Sequence, residues 1–268
     1  MGYNGPLAHW LVGCLFALAP CAAQAAWIAP ERPDPLAILR EAEADARAKR
    51  YPDALAKQLW FHQNALKYDG ALYGVRLSFA LGSWTELAKQ YGPAWDDLRE
   101  AREQAGARVR EGKGHHGDFH DFSSINEILG EEPATAELFA WLDQNNPALA
   151  KRAYGVAQSA LIYTKQYRLC GKYIDSQESL GRLLRLYREH QRMANDPRFG
   201  RSFQNFADSS LSHSAGTLVA LLVLNERSDE ADAVMAAVLK VSSDAGLKKR
   251  LTRAREGVLP EPWPRRAG

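Results

Sequence analysis

The first 25 residues of this chain hold no Lys, Arg, Asp or Glu, and the full 268 residues hold only three cysteines, at positions 14, 21 and 170. Nowhere does an apolar residue alternate with a polar one over a run long enough to be a half-buried β-strand, so sheet architectures lose their usual sequence support. Charge of one sign is missing as well. With 34 basic and 32 acidic residues the net charge is +2, and no global field recommends nucleic acid as a partner. Motifs of common enzymes are also lacking. No G-x-S-x-G elbow occurs, and "GARVREGKG" is not a phosphate-binding loop: five residues separate Gly106 from Gly112, Lys113 is followed by Gly114, and a helical pattern precedes it where a strand is required.

The uncharged start has a positive meaning. Residues 7–20 are mostly apolar, interrupted by His9 and Gly13, and are too few to cross a bilayer, which takes about 20 residues. Pro20 and then Ala23-Gln24-Ala25 follow, an A-x-A pattern. Residues 1–25 therefore read as a secretory signal peptide cut before Ala26, lacking only a basic n-region, and the mature chain is expected in the periplasm or outside the cell. A second reading takes Leu11-Val12-Gly13-Cys14 as a lipoprotein box with Cys14 lipidated. The apolar run before it is very short and continues beyond it, which favours the first reading. After cleavage Cys170 is the sole thiol, so no internal disulfide can form and the fold must rest on its core, with Cys170 a small core residue. Apolar residues make up 46% of the chain, and a chain of this length can bury roughly 70–75% of its unfolded surface.

What fills the rest is helical period. Residues 26–35 carry three prolines and form an extended lead-in, with Pro35 suited to a first helical turn. Residues 36–50 are rich in strong helix formers. In the next stretch Leu55, Leu59, His62 and Leu66 fall on one line, with Ala54, Phe61, Ala65 and Tyr68 beside it, a stripe wide enough for neighbours on two sides. Tyr73, Leu77, Leu81, Trp84 and Ala88 mark another helix, with a break expected near Gly82 and a stop at Gly92-Pro93. Ala94, Leu98, Ala105 and Val109 follow; then the glycine-rich "EGKGHHGDFHD" loop, in which Asp118 is expected to cap a helix carrying Phe119, Phe122 and Ile125. Pro133, Pro147, Asp175 and Ser228 open four more helices, and Phe203, Phe206, Leu211 and Leu218 belong to a long apolar one between them. No membrane span is expected in the mature chain. A basic helix near 244–256 and an extended Pro-rich tail, residues 258–268, complete it.

Short turns between such helices imply antiparallel neighbours and a series of them a stack. Ser228-Asp229-Glu230-Ala231 leads after seven residues to Val238-Leu239, as in the second helix of a tetratricopeptide repeat. Tyr51-Pro52-Asp53-Ala54 leads similarly to Ala65-Leu66, one helical turn later than the family pattern, and residues 130–147 come close with Ala136, Phe139 and Leu142. No 34-residue period covers the chain. Residues 36–257 thus resemble a divergent tetratricopeptide-repeat-like α-solenoid. The resemblance implies an all-α fold, a right-handed stack of antiparallel helical hairpins, and a non-catalytic adaptor or scaffold for a protein or peptide partner, with no cofactor.

Within that frame Tyr73 and Arg76 are candidates to face the concave groove, where Arg would recognise a carboxylate, and His120-Asp121 could orient a partner. His62, in mid-stripe, reads as a satisfied core histidine. The alternative chemistry is metal binding or metal-dependent hydrolysis centred on residues 115–121. His115, His116, Asp118, His120 and Asp121 are suitable ligand types for zinc, though the H-E-x-x-H spacing is absent.

Overall fold

The computed structural model describes Met1 and residues 27–261 except 197, 199 and 243; the rest of the segment expected to be a signal peptide, with Cys14, and the expected tail from residue 262 lie outside the described residues. Those described form an all-helical protein with no strand. The helices are α1 (Pro35–Arg47), α2 (Tyr51–Tyr68), α3 (Tyr73–Leu77), α4 (Phe79–Ala88), α5 (Pro93–Arg110), α6 (His116–Leu129) and α7 (Glu132–Asn145). Then come α8 (Pro147–Tyr163), α9 (Tyr167–Tyr173), α10 (Ser176–Ala194), α11 (Gly200–Leu224), α12 (Ser228–Leu239) and α13 (Ala245–Arg255).

Their starts are written in the sequence. Proline stands in the first turn of α1, α2, α5, α7 and α8, where its missing N–H has no partner to lose. The side chains of Asp34, Asn146, Asp175 and Asp244 accept hydrogen bonds from first-turn amides of α1, α8, α10 and α13. Several ends are less obvious. Lys49, Lys165 and Glu226 adopt the left-handed conformation (φ 61°, 58° and 63°), turning the chain sharply after α1, α8 and α11 without glycine.

The first helix stops at Arg47, short of residue 50. The break expected at Gly82 falls instead at Ser78 (φ −124°, ψ −84°), and Gly82 lies inside α4. Ser78 Oγ donates to the Gly74 carbonyl at 2.7 Å, a side-chain bond that competes with the helical ladder. Tyr68, counted in the buried stripe, is 56% exposed at the end of α2. Phe206 is also 42% exposed.

Packing follows chain order. The pairs α1–α2, α10–α11, α7–α8, α5–α6 and α11–α13 make the most extensive contacts, the last joining second neighbours, and α2–α4 and α6–α8 also touch. Among the described residues three apolar clusters run along the chain. One joins Leu39, Phe61 and Leu72; the next centres on Trp84, Leu98 and Ile125; the largest extends from Phe119 and Phe139 through Leu161 to Leu221 and Leu251. Small alanines at Ala54, Ala65, Ala105, Ala153 and Ala157 are fully buried and let helices approach closely. Among the described residues one helix segment, Phe203–Leu224, is long and apolar enough to cross a membrane, but 61% of its most apolar stretch is buried inside the protein, against α9, α10, α12 and α13. Cys170 is a free, fully buried thiol, and burial pushes its pKa up to about 11.

Candidate functional site

One face of α2, with Leu59, His62 and Leu66 of its expected stripe, and one face of α5 form opposite walls of an open pocket of about 310 Å³. Leu59, Gln63 and Leu66 line it from α2, at spacings that share a helix face. Gln104 and Arg108, one turn apart, line it from α5. Its remaining surface includes Arg76 from α3 and Asp121 from α6.

Arg76 organises this floor. It is 5% exposed, and its Nη2 donates to Asp121 Oδ1 in a buried ion pair. Nη1 lies 3.4 and 3.3 Å from the two ring nitrogens of His62 and 3.3 Å from the His62 carbonyl oxygen. Near-equal distances to both nitrogens place the guanidinium across the imidazole, not end-on to one of them. Arg76 Nε is buried without a hydrogen-bond partner. His62 in turn rests edge-on against Trp84, ring centres 5.6 Å apart. Burial first, then the Arg76 and Arg108 charges, lower its pKa to about 3, so it is neutral at ordinary pH.

Asp121 feels opposing forces. Burial pushes its carboxyl upward and nearby Asp118 adds to this, while the Arg76 hydrogen bond and charge pull it down; the net direction is up. Asp118 goes the other way. Burial raises it, but the His115 amide and Arg108 together bring it below the usual carboxylate range. Its Oδ2 accepts from His115 N at 2.9 Å and its Oδ1 from Arg108 Nε at 2.6 Å. The expected cap is thereby corrected. His115 is the N-cap of α6 and Asp118, three residues on, closes a capping box; the helix begins before Asp118 because the His115 ring accepts from Gly117 N at 3.1 Å.

Tyr73 and His120 form a second pair, Oη to Nδ1 at 2.9 Å. Burial first, aided by Asp121, raises the phenol pKa, and burial with His116 and Arg76 lowers that of the imidazole. Both groups are thereby favoured in their neutral forms, and a single hydrogen bond joins them. Thus the four residues expected to meet a partner come together, but as two internal pairs: Tyr73 with His120, and Arg76 with Asp121.

The five candidate metal ligands are dispersed among other partners. Asp118 holds the α6 cap, Asp121 holds Arg76, and His120 holds Tyr73. His116 stacks edge-on to His120, ring centres 5.8 Å apart. Among the described residues no group of three or more His, Cys, Asp or Glu side chains is placed to hold a metal ion. Gln63, Gln104 and Arg108 escaped the sequence reading, since their spacing is that of any solvated helix face.

Compared with known protein families, curated proteins and solved structures, this chain gives no match.

Proposed function

We propose that this is an exported, non-catalytic helical-repeat protein, a right-handed tetratricopeptide-like stack, that acts by holding a polypeptide segment in the α2–α5 pocket. The reading of a stack draws support from packing between consecutive and second-neighbour helices, the pattern of a quasi-one-dimensional array. The observation that carries the binding role is the pocket floor. A buried arginine fixed by Asp121 and laid across His62 is a rigid base for a ligand.

The walls indicate what would enter. Leu59 and Leu66 offer apolar surface, while Gln63, Gln104 and the Arg108 guanidinium offer donors at fixed separations. A peptide side chain that is acidic or a carboxamide, next to an aliphatic one, satisfies both kinds of wall. Arg108 is already bonded to Asp118 through Nε, which fixes the orientation of its fork.

A photo-crosslinking residue at Gln104, in the envelope where the protein resides, tests this. Adducts of polypeptide mass should form there and not at Arg99, an exposed position on the opposite face of α5. Equal adducts at both positions, or none at Gln104, would contradict the proposal. Export rests on the leader, residues 1–25, and mass spectrometry of the mature N-terminus should find Ala26; an acylated Cys14 would replace it with a lipid-anchored form.

A further inference from the structure

The end of the α10–α11 hairpin is unlike the rest of the molecule. Residues 182–206 contain six arginines against Glu189 and Asp196, a local charge of +4 in a chain whose total is +2, so the remainder is net acidic. From Gln177 to Phe206, no described side chain is buried, although Leu180, Leu183, Tyr187 and His190 are half-covered along the face turned to α11. At the edge of that face apolar groups are exposed: Leu186 at 49% and Met193 at 40%.

These groups are contiguous. Leu186 and His190 are four residues apart and His190 and Met193 three, so all three lie side by side on the helix. Phe206 of α11 rests on the His190 ring, centres 5.2 Å apart, and is itself 42% exposed. The result is a band of Leu186, His190, Met193 and Phe206. Exposed Arg182, Arg185 and Arg192 border it on the solvent side of α10. Apolar side chains long enough to enter an acyl boundary, rimmed by guanidinium groups at the level where phosphates lie, are what an interfacial helix presents to a charged bilayer.

We propose that this outer face of α10, extended by Phe206, docks the protein on the surface of a bilayer containing anionic phospholipid. Charge complementarity selects that occupant. A second copy of this face would place arginine against arginine, and a neutral apolar partner would leave the arginine border unmatched. Attachment is peripheral, because the long apolar stretch of α11 is held within the protein by α9, α12 and α13. The surface is separate from the α2–α5 pocket, and the two proposals stand or fall independently.

Vesicle co-sedimentation of the mature protein tests it. Vesicles of phosphatidylcholine mixed equally with phosphatidylglycerol should carry the protein down, pure phosphatidylcholine vesicles should not, and raised salt should release it. Replacing Arg182, Arg185 and Arg192 together by Ala should weaken partitioning on the order of a hundredfold. Leu186→Ser with Met193→Ser should weaken it too, at unchanged helical circular dichroism. The comparison of the two vesicle types uses the natural chain and does not depend on any variant folding. Equal sedimentation with both vesicles, none with either, or a triple variant that binds as well as the natural chain would overturn the proposal. So would a concentration-dependent dimer abolished by the Leu186 and Met193 changes.

Discussion

Arg76 on α3 and Asp121 on α6, 45 positions apart in the chain, form a buried ion pair at the base of the α2–α5 pocket. Two charges withdrawn from water hold each other only while both are present. Asp121→Ala leaves an uncompensated guanidinium beside a neutral histidine and should lower unfolding free energy by about 3–5 kcal/mol. Arg76→Met combined with Asp121→Leu should recover most of that loss. Urea denaturation of the two variants beside the natural chain measures both effects, and the double variant separates loss of the pair from loss of shape.

His62 gives stability a pH dependence of known sign. In the unfolded chain its imidazole titrates near 6.5, whereas in the fold it stays neutral down to about 3. As pH falls through 6.5 the unfolded state takes up a proton that the folded state refuses, so stability declines progressively from 6.5 towards 3. Thermal unfolding followed between pH 7.5 and about 5, above the range where most carboxylates titrate, should show this slope. His62→Gln should reduce it, with the part due to His120, whose pKa is also lowered, remaining.

Glu230 acts in a lower window. Hydrogen bonds from Arg227 and Ser176, with the Arg227 charge, hold its pKa at about 2 against an ordinary 4.5, and they tie the start of α12 to the start of α10. Its folded pKa is depressed, so the stabilisation is present above 4.5 and lost as pH drops towards 2. The carboxylate is largely solvated and the effect correspondingly small. Glu230→Gln should remove that part of the acid dependence and leave the neutral-pH unfolding midpoint nearly unchanged.

At Gly106, α5 packs tightly against α6. A methyl group there would sit 2.8 Å from Phe122 Cε2 and 2.9 Å from Cδ2, inside a packed ring. Gly106→Ala should therefore destabilise by about 1–3 kcal/mol, although alanine is the better helix former. Gly82, with nothing near its missing side chain, is the control: Gly82→Ala should be neutral or slightly stabilising.

Much of the fold was legible because it depends on period and punctuation. Ala54, Phe61, Leu98, Phe119, Phe139 and Leu142 are buried where helical spacing put them, and prolines and Asp175 mark helix starts. Features set by tertiary context were not legible. Lys49, Lys165 and Glu226 turn the chain where no glycine signals it. Ser78 breaks a helix through a hydroxyl bond that any serine could make, and Gly82 does not. Tyr68 has helical phase but, as the last residue of α2, stays 56% exposed and lies against Trp60, ring centres 5.8 Å apart.

The site divides in the same way. Tyr73, Arg76, His120 and Asp121 stood out by residue type, yet their pairing joins positions 45 or more residues apart, which one sequence does not reveal. Gln63, Gln104 and Arg108 acquire meaning only when α2 and α5 face each other across the pocket.

Calorimetric titration bears most directly on the binding role. Peptides enriched from a random display library on the mature chain should bind the natural protein and lose about tenfold or more in affinity with Arg108→Ala, the value of a charge-assisted hydrogen bond. Identical affinity for both proteins would contradict the assignment of the α2–α5 pocket.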